Sequence, residues 1–200
     1  ESEKLTAYEW GLRWRAAERF STDLALFLND YTDLRGSETT PPPFGRFSNS
    51  LDGRATGGEL ALVWQPQDWI NLRLFHAYLS LNVKAKPGST DTRTAGNIEG
   101  SSPRQSAGLR FALLPWPQVS VDGFLRHVGR LPALAVESYT ELNLRAAYRL
   151  WPAFELALVG ENLLDPHHPE SGSAATASQP QARSGNEIPR SLFLEFTWNW

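Results

Sequence analysis

The sequence predicts an all-β fold: an antiparallel, transmembrane β-barrel segment of about nine long strands, open rather than closed. Short periplasmic turns are expected on one rim and long extracellular loops on the other. Three observations carry this. From Leu192 to Trp200, large apolar side chains occupy every second position: Leu192, Leu194, Phe196, Trp198 and Trp200 share one parity, Phe193, Glu195, Thr197 and Asn199 the other. A period of two is a β-strand with unlike faces. Second, the connections between strand-like segments alternate strictly between short and long, as the two rims of a membrane barrel require. Third, aromatic residues make up 12% of the chain, with eight Trp, rings that favour a membrane–water boundary.

Nine segments follow in order: Leu5–Arg15, Ser21–Thr32, Ala55–Trp64, Trp69–Val83, Gln105–Leu114, Val119–Val128, Tyr139–Leu150, Phe154–Leu164 and Arg190–Trp200. In the first, Tyr8, Trp10, Leu12 and Trp14 oppose Glu9, Gly11, Arg13 and Arg15. In the third, Leu60, Leu62 and Trp64 oppose Glu59, Ala61 and Val63. In the seventh, Leu142, Leu144, Ala146 and Tyr148 oppose Glu141, Asn143, Arg145, Ala147 and Arg149. The second and fourth are less regular, because Phe27, Phe75 and Leu79 fall on the polar parity. Connections Ala16–Phe20, Gln65–Asp68, Pro115–Gln118 and Trp151–Ala153 are short. Asp33–Arg54, Lys84–Arg104, Gly129–Ser138 and Asp165–Pro189 are long and collect Pro, Gly, Ser and Thr. Pro66, Pro115, Pro117 and Pro152 punctuate the short turns, where a missing N–H removes no ladder bond. About ten residues at ~3.3 Å each, tilted near 40°, cover the ~25 Å apolar band of an outer membrane.

Composition narrows the function. A net charge of −3 gives no basic excess to displace phosphate counterions, so a nucleic-acid partner is not expected. The absence of cysteine removes disulfide frameworks, thiolate metal sites and thiol catalysis, and suits passage through an oxidising periplasm. No run reaches the ~18 consecutive apolar residues of a membrane helix. A mean hydropathy of −0.38 is compatible with a barrel, whose lumen-facing residues are polar. Soluble sandwich strands usually have 5 or 6 residues, and an outward face of Leu, Tyr and Trp would aggregate in water. Glu1-Ser2-Glu3-Lys4 lacks signal-peptide architecture, so a mature or truncated chain is expected.

Several motifs resemble the late barrel strands of TonB-dependent outer-membrane receptors. They are Tyr8-Glu9 with Gly11, Leu24-Ala25-Leu26-Phe27, Asn29-Asp30-Tyr31, Gly58-Glu59-Leu60, Ser102-Pro103-Arg104 and Gly160-Glu161-Asn162-Leu163-Leu164-Asp165. The most specific part is Pro166-His167-His168-Pro169-Glu170, followed by Ile188-Pro189-Arg190-Ser191 and the aromatic last strand. The resemblance covers essentially all of residues 1–200 and implies the C-terminal portion of such a barrel, without plug domain or earlier strands. It implies energy-coupled uptake of a bulky nutrient, most often a ferric siderophore or other metal chelate, otherwise cobalamin, haem or a saccharide. The implied partners are outer-membrane lipid, an N-terminal plug and the remaining strands, the TonB–ExbB–ExbD complex, the outer-membrane assembly machinery and the small-molecule nutrient. The implied location is the bacterial outer membrane, with the C-terminus facing the periplasm. Such receptors usually end in Phe. Trp200 keeps an aromatic there, so Leu194, Phe196, Trp198 and Trp200 are expected to form the C-terminal assembly signal.

Candidate functional residues fall in two sets. Lumen-facing charges able to face the plug are Arg13, Glu59, Arg73, Arg110, Arg126, Glu141, Arg145, Arg149, Glu161 and Glu195, with Glu9, Arg15, Asp23, Asp122 and Glu155 of the same parity. Both signs occur, which suits charge-assisted pairing across the wall and with a plug. The ligand contacts expected from the loops are Phe44, Arg46, Phe47, Arg93 and Asn97, because arginine matches anionic chelates. His167, His168 and Glu170 are expected to open a loop anchored by Pro166 and Pro169, with no metal, since adjacent histidines point apart. His76 and His127 read as interfacial polar tips beside Tyr78 and Leu125. No cofactor and no catalytic residue are expected: Ser, His and acid occur in no recognisable nucleophile setting, and no phosphate-cradling glycine loop is present. The rival readings are a passive or substrate-selective porin and an outer-membrane enzyme.

Overall fold

A computed structural model of the protein describes residues 2–39, 45–174 and 181–198. Its main body is a nine-stranded antiparallel sheet in which each strand pairs with its sequence neighbours. The strands are β1 (Lys4–Ala17), β2 (Phe20–Thr39), β3 (Gly45–Gln67), β4 (Ile70–Ala85), β5 (Gln105–Trp116), β6 (Val119–Val128), β7 (Tyr139–Trp151) and β8 (Phe154–Glu161), closed off by β13 (Ser191–Trp198). Four small strands lie between the last two: β9 (His167–Pro169), β10 (Gly172–Ser173), β11 (Arg183–Ser184) and β12 (Glu187–Pro189). Nine antiparallel strands leave the edges β1 and β13 pointing the same way, so they do not pair and the wall stays open.

The register explains why the alternation in the sequence is so persistent. One row across the sheet reads Trp14, Thr22, Leu62, Leu74, Leu109, Leu125 and Leu142. The row beside it reads Arg13, Asp23, Ala61, Phe75, Gly108, Arg126 and Glu141. Each register position therefore carries its whole row to one face. Among the described residues no second layer covers the apolar face. Trp10 is 55% exposed and Trp14 56%, values that an aqueous surface would not sustain over so large a patch. Hydrocarbon is the solvent that suits it.

The four short connections share one device. At each, the incoming strand gains a bulge before the turn: between Trp14 and Ala17, Trp64 and Gln67, Leu113 and Trp116, and Arg149 and Trp151. Strict alternation would send Trp116 and Trp151 to the charged face. The bulges re-aim them, so that Trp116 pairs with Val119 and Trp151 with Phe154 on the apolar face. Pro66 and Pro115 sit inside two of these bulges, where no ladder donor is missed. Trp14, Trp64, Trp69, Trp116, Trp151 and Trp198 thus gather along one rim. The Trp151 ring stacks on Phe154 at 5.0 Å and meets Trp198 edge-on at 6.3 Å.

The long connections are more ordered than loop composition suggests. The expected loop Asp33–Arg54 is mostly paired: β2 and β3 run on beyond the wall, with Glu38 opposite Arg46 and Ser37 opposite Phe47. Register breaks between Tyr31 and Leu34, and between Leu34 and Gly36, mark where the hairpin leaves the wall. Asp33 there has φ 63°, a left-handed turn that Asp tolerates. Loop Lys84–Arg104 holds the short helix α1 (Thr94–Gly100), about two turns long. Loop Gly129–Ser138 closes on a Leu131–Val136 bridge over a 3₁₀ turn, Pro132–Leu134. The last loop, Asp165–Pro189, is a second hairpin, with β9 on β12 and β10 on β11. Strand β8 ends at Glu161 rather than Leu164, because Asn162 turns left-handed at φ 50°.

Candidate functional site

Fourteen of the fifteen charged residues expected to share a face do so, since each falls on the polar parity of its strand in the observed register. Arg15 lies inside the β1 bulge between Trp14 and Ala17 and has no cross-strand register partner. The structure divides them by partner. Arg13 Nε lies 2.5 Å from Asp23 Oδ1. Arg145 Nη2 reaches Glu155 at 2.8 Å and Glu195 at 3.0 Å, with Arg149 4.0 Å from the other Glu155 oxygen. Arg126 Nε lies 3.0 Å from Glu141 and its Nη2 contacts Glu170. Glu161 accepts the Ser191 hydroxyl at 3.0 Å.

Arg73 and Arg110 are different. They stand directly opposite each other on β4 and β5, and neither has an ion-pair partner among the described residues. Like charges in direct cross-strand register are unfavourable. Arg110 is propped over the Phe124 ring at 4.6 Å, which fixes its position without neutralising it. The two arginines lie in a shallow depression of the charged face with Asn71, Asp122, Asn143 and Glu161. Sequence parity identified both arginines but not their lack of partners, which depends on which rows the carboxylates occupy.

The polar-parity aromatics have a common explanation. Phe27 lies opposite Gly57 and Phe75 opposite Gly108, and each ring fills the space a Cβ at that glycine would need. The glycines let the rings lie flat on the sheet, so they pack rather than block the face.

At the long-loop rim, Glu38 and Asp91 staple the first two loops together. Glu38 accepts bonds from Ser48 at 3.0 Å, Ser89 at 2.8 Å and both groups of Thr90 at 2.6 Å. The Thr90 hydroxyl and amide, with Ser89, hold its carboxyl well below the usual range. Asp91 accepts the amides of Ser37 at 2.6 Å, Thr94 at 2.9 Å and Arg93 at 3.0 Å. Partial burial pushes the Asp91 carboxyl up, but these bonds outweigh it and leave it lowered. Of the expected loop contacts, Phe47 is 71% exposed beneath the Arg35 guanidinium at 4.9 Å, and Arg46 faces Glu38 across the hairpin. Arg93 precedes α1 and Asn97 lies within it. Phe44 lies outside the described residues. Leu194, Phe196 and Trp198 line the apolar face of β13, and Trp200 also lies outside the described residues.

His168 is a correction. It is not part of an open loop but is 4% exposed, stacked on Tyr139 at 3.9 Å. His167 turns the other way, to Glu187 at 3.1 Å. Asn162 holds the hairpin that carries them, its amide donating to Asn143 at 2.8 Å and its Nδ2 to the Ile188 carbonyl at 3.0 Å. Of the two other histidines, His127 on β6 meets the Thr140 hydroxyl at 2.8 Å on the apolar face, in the same row as His76 on β4 with Ala107 of β5 between them.

Long strands, one apolar face with an aromatic rim, one charged face and a short–long alternation of connections together define the wall of an outer-membrane β-barrel. The chain belongs to the TonB-dependent receptor-like β-barrel family, whose model matches residues 1–163. No curated protein sequence matches the chain at a significant level. Among solved structures, it is similar to the siderophore receptor PiuA from Acinetobacter baumannii, with TM-score 0.77 and 19% identity over 97% of this chain and 28% of that one. It is also similar to the ferric-catecholate import receptor Fiu from E. coli K12, with TM-score 0.66 and 19% identity over 97% of this chain and 27% of that one. The ferric yersiniabactin uptake receptor FyuA from Yersinia pestis gives TM-score 0.68 and 15% identity over 99% of this chain and 30% of that one. The chain therefore spans less than a third of the length of these receptors.

Proposed function

We propose that this chain forms part of the barrel wall of an outer-membrane receptor that imports a bulky metal chelate of the ferric-siderophore class, with energy from the TonB–ExbB–ExbD complex. The family membership carries the reading, and the siderophore and iron receptors among its structural relatives support the ligand class. In this reading the short-turn rim and the C-terminus face the periplasm. The stapled loops face the exterior and meet the ligand, and the charged face bounds the lumen. The opposed Arg73 and Arg110 then face an acidic surface of the plug, which supplies the missing carboxylates.

Cells expressing the intact protein are the system in which to test it. Uptake of ⁵⁵Fe complexed to catecholate and hydroxamate chelators is measured with and without an uncoupler of the inner-membrane potential. Saturable uptake that stops on uncoupling supports the reading. Non-saturable uptake that survives uncoupling identifies a porin and overturns it.

A further inference from the structure

We infer that Glu141, His168 and Glu170 form a binding site for a divalent transition-metal cation of the Zn²⁺ class, between the wall and its last hairpin. One carboxylate oxygen or ring nitrogen from each lies within 4.8 Å of the others. Glu141 comes from β7, His168 from β9 and Glu170 from the residue following it, so residues far apart in sequence converge here.

His168 supplies the second, independent observation. Its side chain is 4% exposed, and both ring nitrogens are buried without a hydrogen-bond partner. An imidazole buried in that condition is costly unless something else satisfies it. Nε2 lies 3.8 Å from Glu141 Oε2 and 3.8 Å from Glu170 Oε1. That is too long for a hydrogen bond. It fits two ligand atoms on either side of a cation held at about 2.0–2.2 Å from each. Nδ1 faces Asp165 Oδ2 at 3.8 Å, beyond hydrogen-bond range here but on the side from which a carboxylate can accept from Nδ1 once a cation holds Nε2.

Charge points the same way. Glu141, Asp165 and Glu170 bring three carboxylates, and Arg126, paired with Glu141 and touching Glu170, neutralises one. Two negative charges remain around a largely enclosed imidazole, and a divalent cation balances them. Arg126 takes Glu141 through Oε1, leaving Oε2 toward the histidine, whereas Glu170 Oε1 faces both Arg126 and the histidine and would be shared with a cation. Imidazole among the donors favours Zn²⁺, Cu²⁺ or Ni²⁺ over Ca²⁺ and Mg²⁺, which prefer oxygen alone. Within its own loop, His168 sits beside a histidine that points apart from it, and no metal is expected from the sequence. The fold supplies a further ligand from β7. A cation here would tie the β9–β12 hairpin to the wall.

The test uses the intact protein, purified in detergent and stripped with EDTA, titrated with ZnCl₂ by calorimetry. Wild type is expected to take up one Zn²⁺ per chain at this site and His167→Ala to bind equally. His168→Ala and Glu170→Gln are expected to lose the site, and Asp165→Asn to bind roughly tenfold to a hundredfold more weakly. Heat-modifiable gel mobility confirms that each variant is folded, and Glu170, 39% exposed, is the substitution least able to disturb packing. Absence of Zn²⁺ uptake by wild type overturns the site, as does unchanged binding in folded Glu170→Gln or His168→Ala. None of these outcomes depends on which nutrient the receptor imports.

Discussion

Phe75 lies directly across the sheet from Gly108, its ring occupying the volume that a side chain at position 108 would fill. The ring also tilts against Phe124 at 6.2 Å, so glycine and aromatics form one packed unit on the charged face. Gly108→Val should therefore destabilise the wall, by about 1–3 kcal/mol for a forced overpacking. Phe75→Ala should cost stability alone, yet relieve part of the Gly108→Val penalty when combined with it. Melting of heat-modifiable gel mobility for the four proteins of this double-mutant cycle measures the coupling. Strict additivity would mean that ring and glycine do not compete for the same space.

The ion pairs direct a second prediction toward Arg73 and Arg110. Arg145 already serves two carboxylates of its own wall, so reversing Arg145 and Arg149 leaves Glu155 and Glu195 unpaired. That variant should still insert, with weakened uptake accompanied by lowered barrel stability. Arg73→Glu with Arg110→Glu breaks no ion pair within the described wall, loses only the Arg110–Phe124 stacking contact, and replaces one like-charged pair with another. Its stability should stay near wild type while ⁵⁵Fe-chelate uptake falls. Wild-type uptake in the second variant would remove the plug-facing role proposed for this pair.

Much of this was readable from the chain because a membrane barrel writes its geometry into period-two rows. Leu142, Leu144, Ala146 and Tyr148 announce a face irrespective of what lies beyond it. The expectation that Phe27 and Phe75 break the pattern had a cause in glycines on the adjacent strands, which only register reveals. Trp116 and Trp151 fell beyond the expected strand ends, since a bulge inverts parity and sequence alternation assumes none. Loop composition hid the β2–β3 and β9–β12 hairpins: polar, Gly- and Ser-rich stretches pair by backbone hydrogen bonds, which carry no hydropathy signal. The Arg126, Glu141, His168 and Glu170 cluster draws on three separate elements, so no local motif could disclose it.

Acidification tests the Glu38–Asp91 staple. Both carboxyls sit below their ordinary values in the folded protein. A depressed folded pKa stabilises above the unfolded value, and that contribution is lost as pH falls through the folded one. The staple should thus be intact at pH 5 to 7 and weaken only below the ordinary carboxylate range of about 4. Hydrogen exchange of the Ser37 and Thr90 amides, which donate to Asp91 and Glu38, reports this directly. In Glu38→Gln the Thr90 amide should lose protection at neutral pH. Equal protection in wild type and variant would show that the loops are held by something else.

Depth of the tryptophans gives the last prediction. Trp14, Trp64, Trp116, Trp151 and Trp198 gather beside the short turns, whereas Trp10 stands four residues further along β1. At ~3.3 Å per residue along a strand, that separates Trp10 from Trp14 by about 13 Å before tilt. Variants retaining only one of these tryptophans, reconstituted in lipids brominated at successive acyl positions, should show Trp14, Trp116 and Trp151 quenched most by shallow bromines. Deleting Leu150 removes the extra residue of that bulge and sets Trp151 directly after Arg149, opposite Phe154, so the ring stays on the apolar face. Its quenching by lipid bromines should then persist together with that of Trp14. Collapse of Trp151 quenching in the deletion would mean that pairing with Phe154 does not set which face the ring takes.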